Sequence, residues 1–333
     1  MKAYTINRYG EEEKLTLVEI AEPRVEENEV LIEIHSTSIN PLDLKIKSGE
    51  FKVLLPYKFP LILGHDVAGV VTKIGQKVSK FKVGDEVFSR PTDFKIGTFA
   101  EYISIHEDQV TRKPKNISME EAASIPLVSL TAWQAFVQKA QLTAGQKVFI
   151  QAGSGGVGTI AIQLAKHLGA TVATTTSIEN FELVKKLGAD VVINYKEEKF
   201  ETTLPEYDLV LNSQDNITLE KSIQILKSGG KIISISGPPD LAFARDFGLN
   251  LLLKIVFFFI SRKVKNQSKK ANVDYSFLFM KANGDQLSEI AKLIEADVIK
   301  PVIDKVFAFD QINEAFAYVS SGRSKGKVVL KVK

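Results

Sequence analysis

At 333 residues the chain exceeds the size at which a single hydrophobic core keeps growing, about 250–300 residues, so two domains are expected. Hydrophobic residues make up 44% and charged residues 25%, with a net charge of +3 and scattered lysines; this argues against disorder and shows no footprint for nucleic acid, leaving a small-molecule partner as the expectation. The absence of cysteine excludes disulfides, thiolate nucleophiles and cysteine-based zinc sites together.

Met1 to Ile6 alternates like a first strand and lacks the continuous apolar core of a signal peptide, so a cytoplasmic location is expected. Residues 1–110 read as short strands separated by turn signals, among them Val30 to Ser36, Val67 to Gly75, Val83 to Phe88 and Gly97 to Ile105. That pattern describes a β-rich, barrel-like domain. It gives way near residue 120, where Ser118 is placed to cap a helix opening at Met119.

From Ser124 onward helices and strands alternate. The apolar run Lys147 to Ile150 breaks into a glycine-rich turn and then a helix, and a further strand follows at Ala170 to Thr175. A helix from Phe181 to Leu187 ends at Gly188; strands follow at Val191 to Asn194 and Leu209 to Asn212, then a helix from Leu219 to Leu226 and a strand from Lys231 to Ile235. The rhythm predicts an α/β fold with a doubly wound parallel sheet. Beyond Gly237-Pro238-Pro239 come a strand candidate at Tyr275 to Met280 and a helix from Gln286 to Ala296, with Pro301 marking the exit. The tail returns to strand character and is expected to rejoin the first domain. The expected division is 1–123, 124–300 and a returning segment 301–333.

Asn250 to Ile260 holds one lysine in an otherwise apolar run, too short to span a bilayer, which takes about 20 residues. A buried helix at a domain or subunit contact is the preferred reading. A wall for a long apolar substrate comes second, and a membrane-surface anchor, helped by the basic residues Arg262 to Lys270, comes third.

Gly153, Gly155 and Gly158 fit the spacing G-x-G-x-x-G, with Ser154, Gly156 and Val157 between them. The first glycine lets the chain turn, the second admits a pyrophosphate, and the third lets helix and strand pack closely. The strand before and the helix after make this a dinucleotide site, with phosphate at the helix start. An NAD-preferring site ends its second strand with an acid about 20 residues past the glycines. Here that strand runs into Thr176, Ser177, Ile178, Glu179 and Asn180. Hydroxyls and an amide suit a 2′-phosphate, so NADPH is expected; NADH becomes the choice if Glu179 points at the ribose.

Further segments carry a resemblance across nearly the whole chain: Asn40-Pro41-Leu42-Asp43, Leu63 to Val71 with Gly75, Val83 to Val87, Gly97 to Tyr102, Leu130-Thr131-Ala132 and Lys325 to Leu330. The chain resembles the zinc-independent quinone oxidoreductases of the medium-chain dehydrogenase/reductase superfamily, near the zeta-crystallin type. The resemblance implies a GroES-like barrel completed by the C-terminal tail, a Rossmann domain, and an active site in the cleft between them. It also implies Tyr195 and Lys196 near the 2′-phosphate and Thr131 on the nicotinamide carboxamide. Lys325 is a candidate for cofactor phosphate, and Ser236 and Pro238 lie just past the fifth strand, where such sheets place ligands.

Where zinc alcohol dehydrogenases of this superfamily offer a first cysteine ligand, this chain offers Asn40. His65 alone remains of such a set, and a catalytic zinc takes three protein ligands, so no metal is expected. Asn40 is the expected amide donor to an acceptor oxygen that gains charge during hydride transfer, and Asp43 the residue that positions it. An ordinary turn and helix cap is the alternative for both. With four histidines and no supported Ser/His/Asp arrangement, hydrolysis is a poor reading. The expected activity is NADPH-dependent reduction of quinones or α,β-unsaturated carbonyls by a homodimer, with the proton from solvent. The alternatives are an activated-alkene reductase without quinone activity, or a nucleotide-binding structural or regulatory protein.

Overall fold

The computed structural model describes all 333 residues and divides the chain into two compact units, Met1–Leu130 with Lys281–Lys333, and Thr131–Met280. The first unit is built on the eleven-residue strand Glu29–Ile39, which pairs with Asp66–Ile74, Tyr102–His106 and the tail strand Lys327–Lys331. Ile303–Ala308, Glu86–Ser89 and Val110–Arg112 complete this seven-stranded sheet, and Lys2–Ile6 joins Thr16–Glu19 and Leu61–Ile62 in a three-stranded one. Val30, Ile32, Ile34, Val67, Val71, Val87, Ile103 and Val110 pack into one buried cluster. Such β-branched side chains suit a pleated, covered surface. The tail rejoins this unit because Val328 to Lys331 pair with Ser36 to Ile39.

The helix Gly284–Glu295 also belongs here. The sequence reading put residues 281–300 with the nucleotide-binding domain. In the structure Gly284 lies so close to the Val110 carbonyl that a methyl group there would sit 2.5 Å from its oxygen. Asn116 Nδ2 donates to the Ile294 carbonyl at 2.9 Å. The division falls after Leu130 and after Met280 rather than after 123 and 300.

The second unit carries six parallel strands. Their order is Val191–Asn194, Thr171–Thr176, Lys147–Ile150, Tyr207–Asn212, Leu226–Ser234 and Asp274–Phe277. In sequence this reads third, second, first, fourth, fifth, sixth, the doubly wound order of dinucleotide-binding sheets. The helix read as Leu219 to Leu226 is Asn216–Ile223 instead. It stops early because Leu226 is already paired beside Tyr207 as the next strand begins.

The apolar run at Asn250 departs furthest from expectation. It opens a helix, Leu251–Lys270, capped by the Asn250 side chain on the Leu253 N–H at 3.0 Å. Yet the buried residues are Phe257, Ser261, Val264 and Ser268, a single narrow stripe. Most of the apolar residues are therefore exposed within a single chain, which leaves a subunit contact as the form of the preferred reading that remains an expectation. No helix is long and apolar enough to cross a membrane.

Candidate functional site

In the second unit, the strand Lys147–Ile150 delivers the chain into the glycine turn, and the helix Gly156–His167 leaves it. Ala152 adopts a left-handed φ of 51° there, a conformation that costs energy and is kept where a turn demands it. A Cβ on Gly153 would sit 2.2 Å from Thr174 Oγ1, and one on Gly158 would sit 2.3 Å from the Ala152 carbonyl oxygen. These two glycines are therefore steric requirements of strand and helix packing. A Cβ on Gly155 would meet just the Ala152 oxygen, at 3.3 Å, so its face is open. No side chain caps the helix that follows. Its first-turn N–H groups have no intrahelical partner and point their partial positive charge outward, as an anion requires.

Around this turn the structure gathers several residues singled out from sequence. Ser154 Oγ accepts from Thr176 Oγ1 at 2.8 Å and from Asn180 Nδ2 at 3.3 Å, and Asn180 Nδ2 also reaches Ser177 Oγ at 3.3 Å. Asn180 Oδ1 is buried without a partner. Glu179 lies 3.8 Å from Lys196 Nζ, both well exposed, so a cation answers the one acid at the strand end. Tyr195 is exposed beside them.

Gln151 is a hub that sequence reasoning missed. Buried at the strand end, it accepts on Oε1 from Asn212 Nδ2 and the N–H groups of Ser213 and Gln214, and it donates to Ser222 Oγ. This pins the loop after Tyr207–Asn212 to the glycine turn. Ser236 Oγ donates to the Gln214 carbonyl at 2.6 Å, and the Pro238 carbonyl accepts from Tyr275 Oη at 2.7 Å. Burial pushes the Tyr275 phenol well above its usual range, so it remains a protonated donor. Thr131 is buried in the helix Pro126–Trp133.

The first unit holds a second polar set, buried from solvent. Asp43 accepts from the Asn40 N–H at 2.8 Å, the Gly64 N–H at 3.2 Å and His65 Nδ1 at 2.6 Å. Asp66 accepts from Ser38 Oγ at 2.7 Å, Asn40 Nδ2 at 2.8 Å and the Leu127 N–H at 2.7 Å, with Lys327 Nζ at 3.3 Å. Lys327 Nζ also donates to Asn40 Oδ1 and to the Ile39 carbonyl. Because Lys327 can only donate and Asp66 here accepts, the orientation of the Asn40 amide is determined.

Asn40, Asp43, His65 and Asp66 are each 0% exposed. The expectation that Asn40 presents its amide to a substrate thus meets a side chain already engaged at both ends. Lys327, two residues past Lys325, was not singled out. Its signal is faint in sequence, one of two lysines at the ends of the strand Lys327–Lys331. Lys325 itself is exposed, with its N–H on Asp304 Oδ2 at 3.1 Å.

His65 Nε2 is buried without a partner, but no group of three His, Cys, Asp or Glu side chains gathers to hold a metal. The donor set does not fit a catalytic zinc, which takes three protein ligands.

The chain matches the family model described as alcohol dehydrogenase GroES-like domain over residues 26–115, and the one described as zinc-binding dehydrogenase over residues 187–330. It is 35% identical to the 2-methylene-furan-3-one reductase of Solanum lycopersicum, covering 99% of this chain and 79% of that protein. It is 33% identical to the chloroplastic NADPH-dependent alkenal/one oxidoreductase of Arabidopsis thaliana, with the same 99% and 79% coverage. Among solved structures, the quinone oxidoreductase from Coxiella burnetii superposes with a TM-score of 0.86 at 30% identity, covering 100% of this chain and 99% of that one.

Proposed function

Because the chain belongs to the quinone and enone oxidoreductases of the medium-chain dehydrogenase/reductase superfamily, we propose that it reduces quinones or α,β-unsaturated carbonyl compounds with NADPH. The observation that carries this reading is the glycine turn, with its uncapped helix start and the polar cluster beside it. When bound, NADPH supplies a hydride. The backbone N–H groups of Gly156, Val157 and Gly158 bind its pyrophosphate. Ser154, Thr176, Ser177 and Asn180 bind the 2′-phosphate, with Tyr195 and Lys196 at its edge. Exchange of the Ser154 hydrogen bonds for phosphate oxygens keeps every donor in that cluster paired.

Ser236 and Pro238 shape the loop past the fifth strand, and Thr131 holds the nicotinamide carboxamide. Asn40 and Asp43 act here as positioning residues: Asp43 fixes the Asn40 backbone, and Asn40 fixes Lys327 against Asp66. Solvent supplies the proton. The homodimer belongs to the same proposal and uses the edge strand Asp274–Phe277, whose outer side no strand of this chain covers. So does a cytoplasmic location, which fractionation of the expressing cell checks.

The test is NADPH oxidation with a panel of quinones and enones. Turnover with either class supports the proposal. Enone turnover without quinone turnover supports the alkene-reductase alternative, and nucleotide binding without consumption supports a structural or regulatory role. Absence of affinity for NADPH and NADH overturns the reading.

A further inference from the structure

The helix Leu251–Lys270 carries an outward face that nothing in the reductase reading uses. Its inward stripe is Phe257, Ser261, Val264 and Ser268, and Phe257 meets the Phe243 ring with centroids 5.9 Å apart. On the opposite side, at helical spacing, the first half presents Leu251, Leu252, Ile255, Phe258 and Phe259. These five, with flanking Val256 and Ile260, are between 40% and 74% exposed. The second half presents Arg262, Lys263, Asn266, Lys269 and Lys270 on the same side.

One face thus changes from apolar to basic along its length. The helix holds six cations, Lys254, Arg262, Lys263, Lys265, Lys269 and Lys270, and no acid. Lys263 is paired with Glu220 and Lys265 with Asp240 at 2.8 Å. Arg262, Lys269 and Lys270 have no acidic partner within salt-bridge distance.

We infer that this helix docks the protein on the surface of an anionic phospholipid bilayer. The apolar half lies among the acyl chains just below the headgroups, and the basic half rests on headgroup phosphates. Large exposed apolar patches mark interaction sites. An apolar face joined to lysine and arginine is the pattern of helices that lie in the membrane interface. A second copy of the chain could cover the apolar half, but Arg262, Lys269 and Lys270 on this face have no carboxylate to answer them, Glu220 pairing with Lys263. An anionic bilayer answers both halves. The helix lies on the membrane and does not cross it, since no helix here is long and apolar enough to span. The inference does not rest on the reductase reading.

The experiment is flotation of the full-length protein with vesicles of phosphatidylglycerol and phosphatidylcholine, against vesicles of phosphatidylcholine alone. Flotation is expected with the anionic vesicles and is expected to weaken with added salt. Replacing Arg262, Lys269 and Lys270 together with Gln is expected to lower partition about 100-fold, from about a fivefold contribution per cation. Replacing Leu252, Ile255 and Phe259 together with Ser is expected to abolish flotation. All these side chains are exposed, so thermal melting should match the parent and show that the fold is intact. Failure of the parent to float with anionic vesicles overturns the inference. So does full flotation of the Ser variant, or a parent dimer by light scattering that the Ser variant turns monomeric without any flotation of the parent.

Discussion

Replacing Lys327 with Met keeps the apolar stem and removes the ammonium. In the parent, Lys327 is 5% exposed and lies 3.3 Å from Asp66, which is 0% exposed. The variant leaves Asp66 with three neutral donors, from Ser38, Asn40 and Leu127, and no countercharge. It also strips a donor from Asn40 Oδ1 and the Ile39 carbonyl. Breaking one side of a buried ion pair costs about 3–5 kcal/mol. The three remaining donors point to the lower end, about 3 kcal/mol. The assay is urea unfolding followed by fluorescence, together with the double variant Lys327→Met, Asp66→Asn. Because the carboxylate is then neutral, the double variant should recover about 1–2 kcal/mol relative to additive losses. A single-variant loss below about 1 kcal/mol, the scale of an exposed pair, or strict additivity, refutes the claim that this pair is buried and coupled.

Gly158→Ala places a methyl 2.3 Å from the Ala152 oxygen and 2.7 Å from Gly153 Cα; backbone cannot yield cheaply, so a stability loss of about 1–3 kcal/mol is expected from thermal melting. Gly155→Ala meets no such clash and should melt like the parent while binding NADPH more weakly in a fluorescence titration. Lys196→Ala removes the cation beside Glu179 and should lower the NADPH-over-NADH preference in kcat/KM about tenfold, the scale of one charged hydrogen bond; an unchanged ratio would separate Lys196 from the 2′-phosphate. Asp215 caps the helix Asn216–Ile223, accepting from the Thr218 N–H at 2.8 Å, and that bond holds its carboxyl below the usual carboxylate range. A lowered acid contributes stability above the ordinary carboxylate range and loses it as pH falls through the lowered value. Asp215→Ala should therefore cost about 1 kcal/mol near neutrality, and the gap to the parent should close in acid.

Much of the second unit was legible because periodicity and glycine spacing are local properties. Gly153, Gly155 and Gly158 announce their turn within six residues; in the first unit, likewise, Ser118 caps the helix that opens at Met119. The helix at Leu251 was legible as apolar but not as exposed. A helix's inward stripe is decided by what packs on it, and Phe243 and Tyr275 lie outside the run. The set around Asn40 was legible in part. Asn40 and Asp43 sit three apart in a recognisable turn, whereas Lys327 reaches Asn40 across 287 residues, through the pairing of the last strand with Glu29–Ile39. The residues 281–300 were misplaced for the same reason, since their partners at Asp108, Val110 and Asn116 lie far upstream.

The cation that faces Asp66 is part of the polypeptide. An ammonium tethered to its own strand cannot be drawn off by a chelator, exchanged for a competing ion, or diluted away. Its residence is as secure as the last strand's pairing, so fraying of residues 327–331 and exposure of the Asp66 carboxylate become a single event.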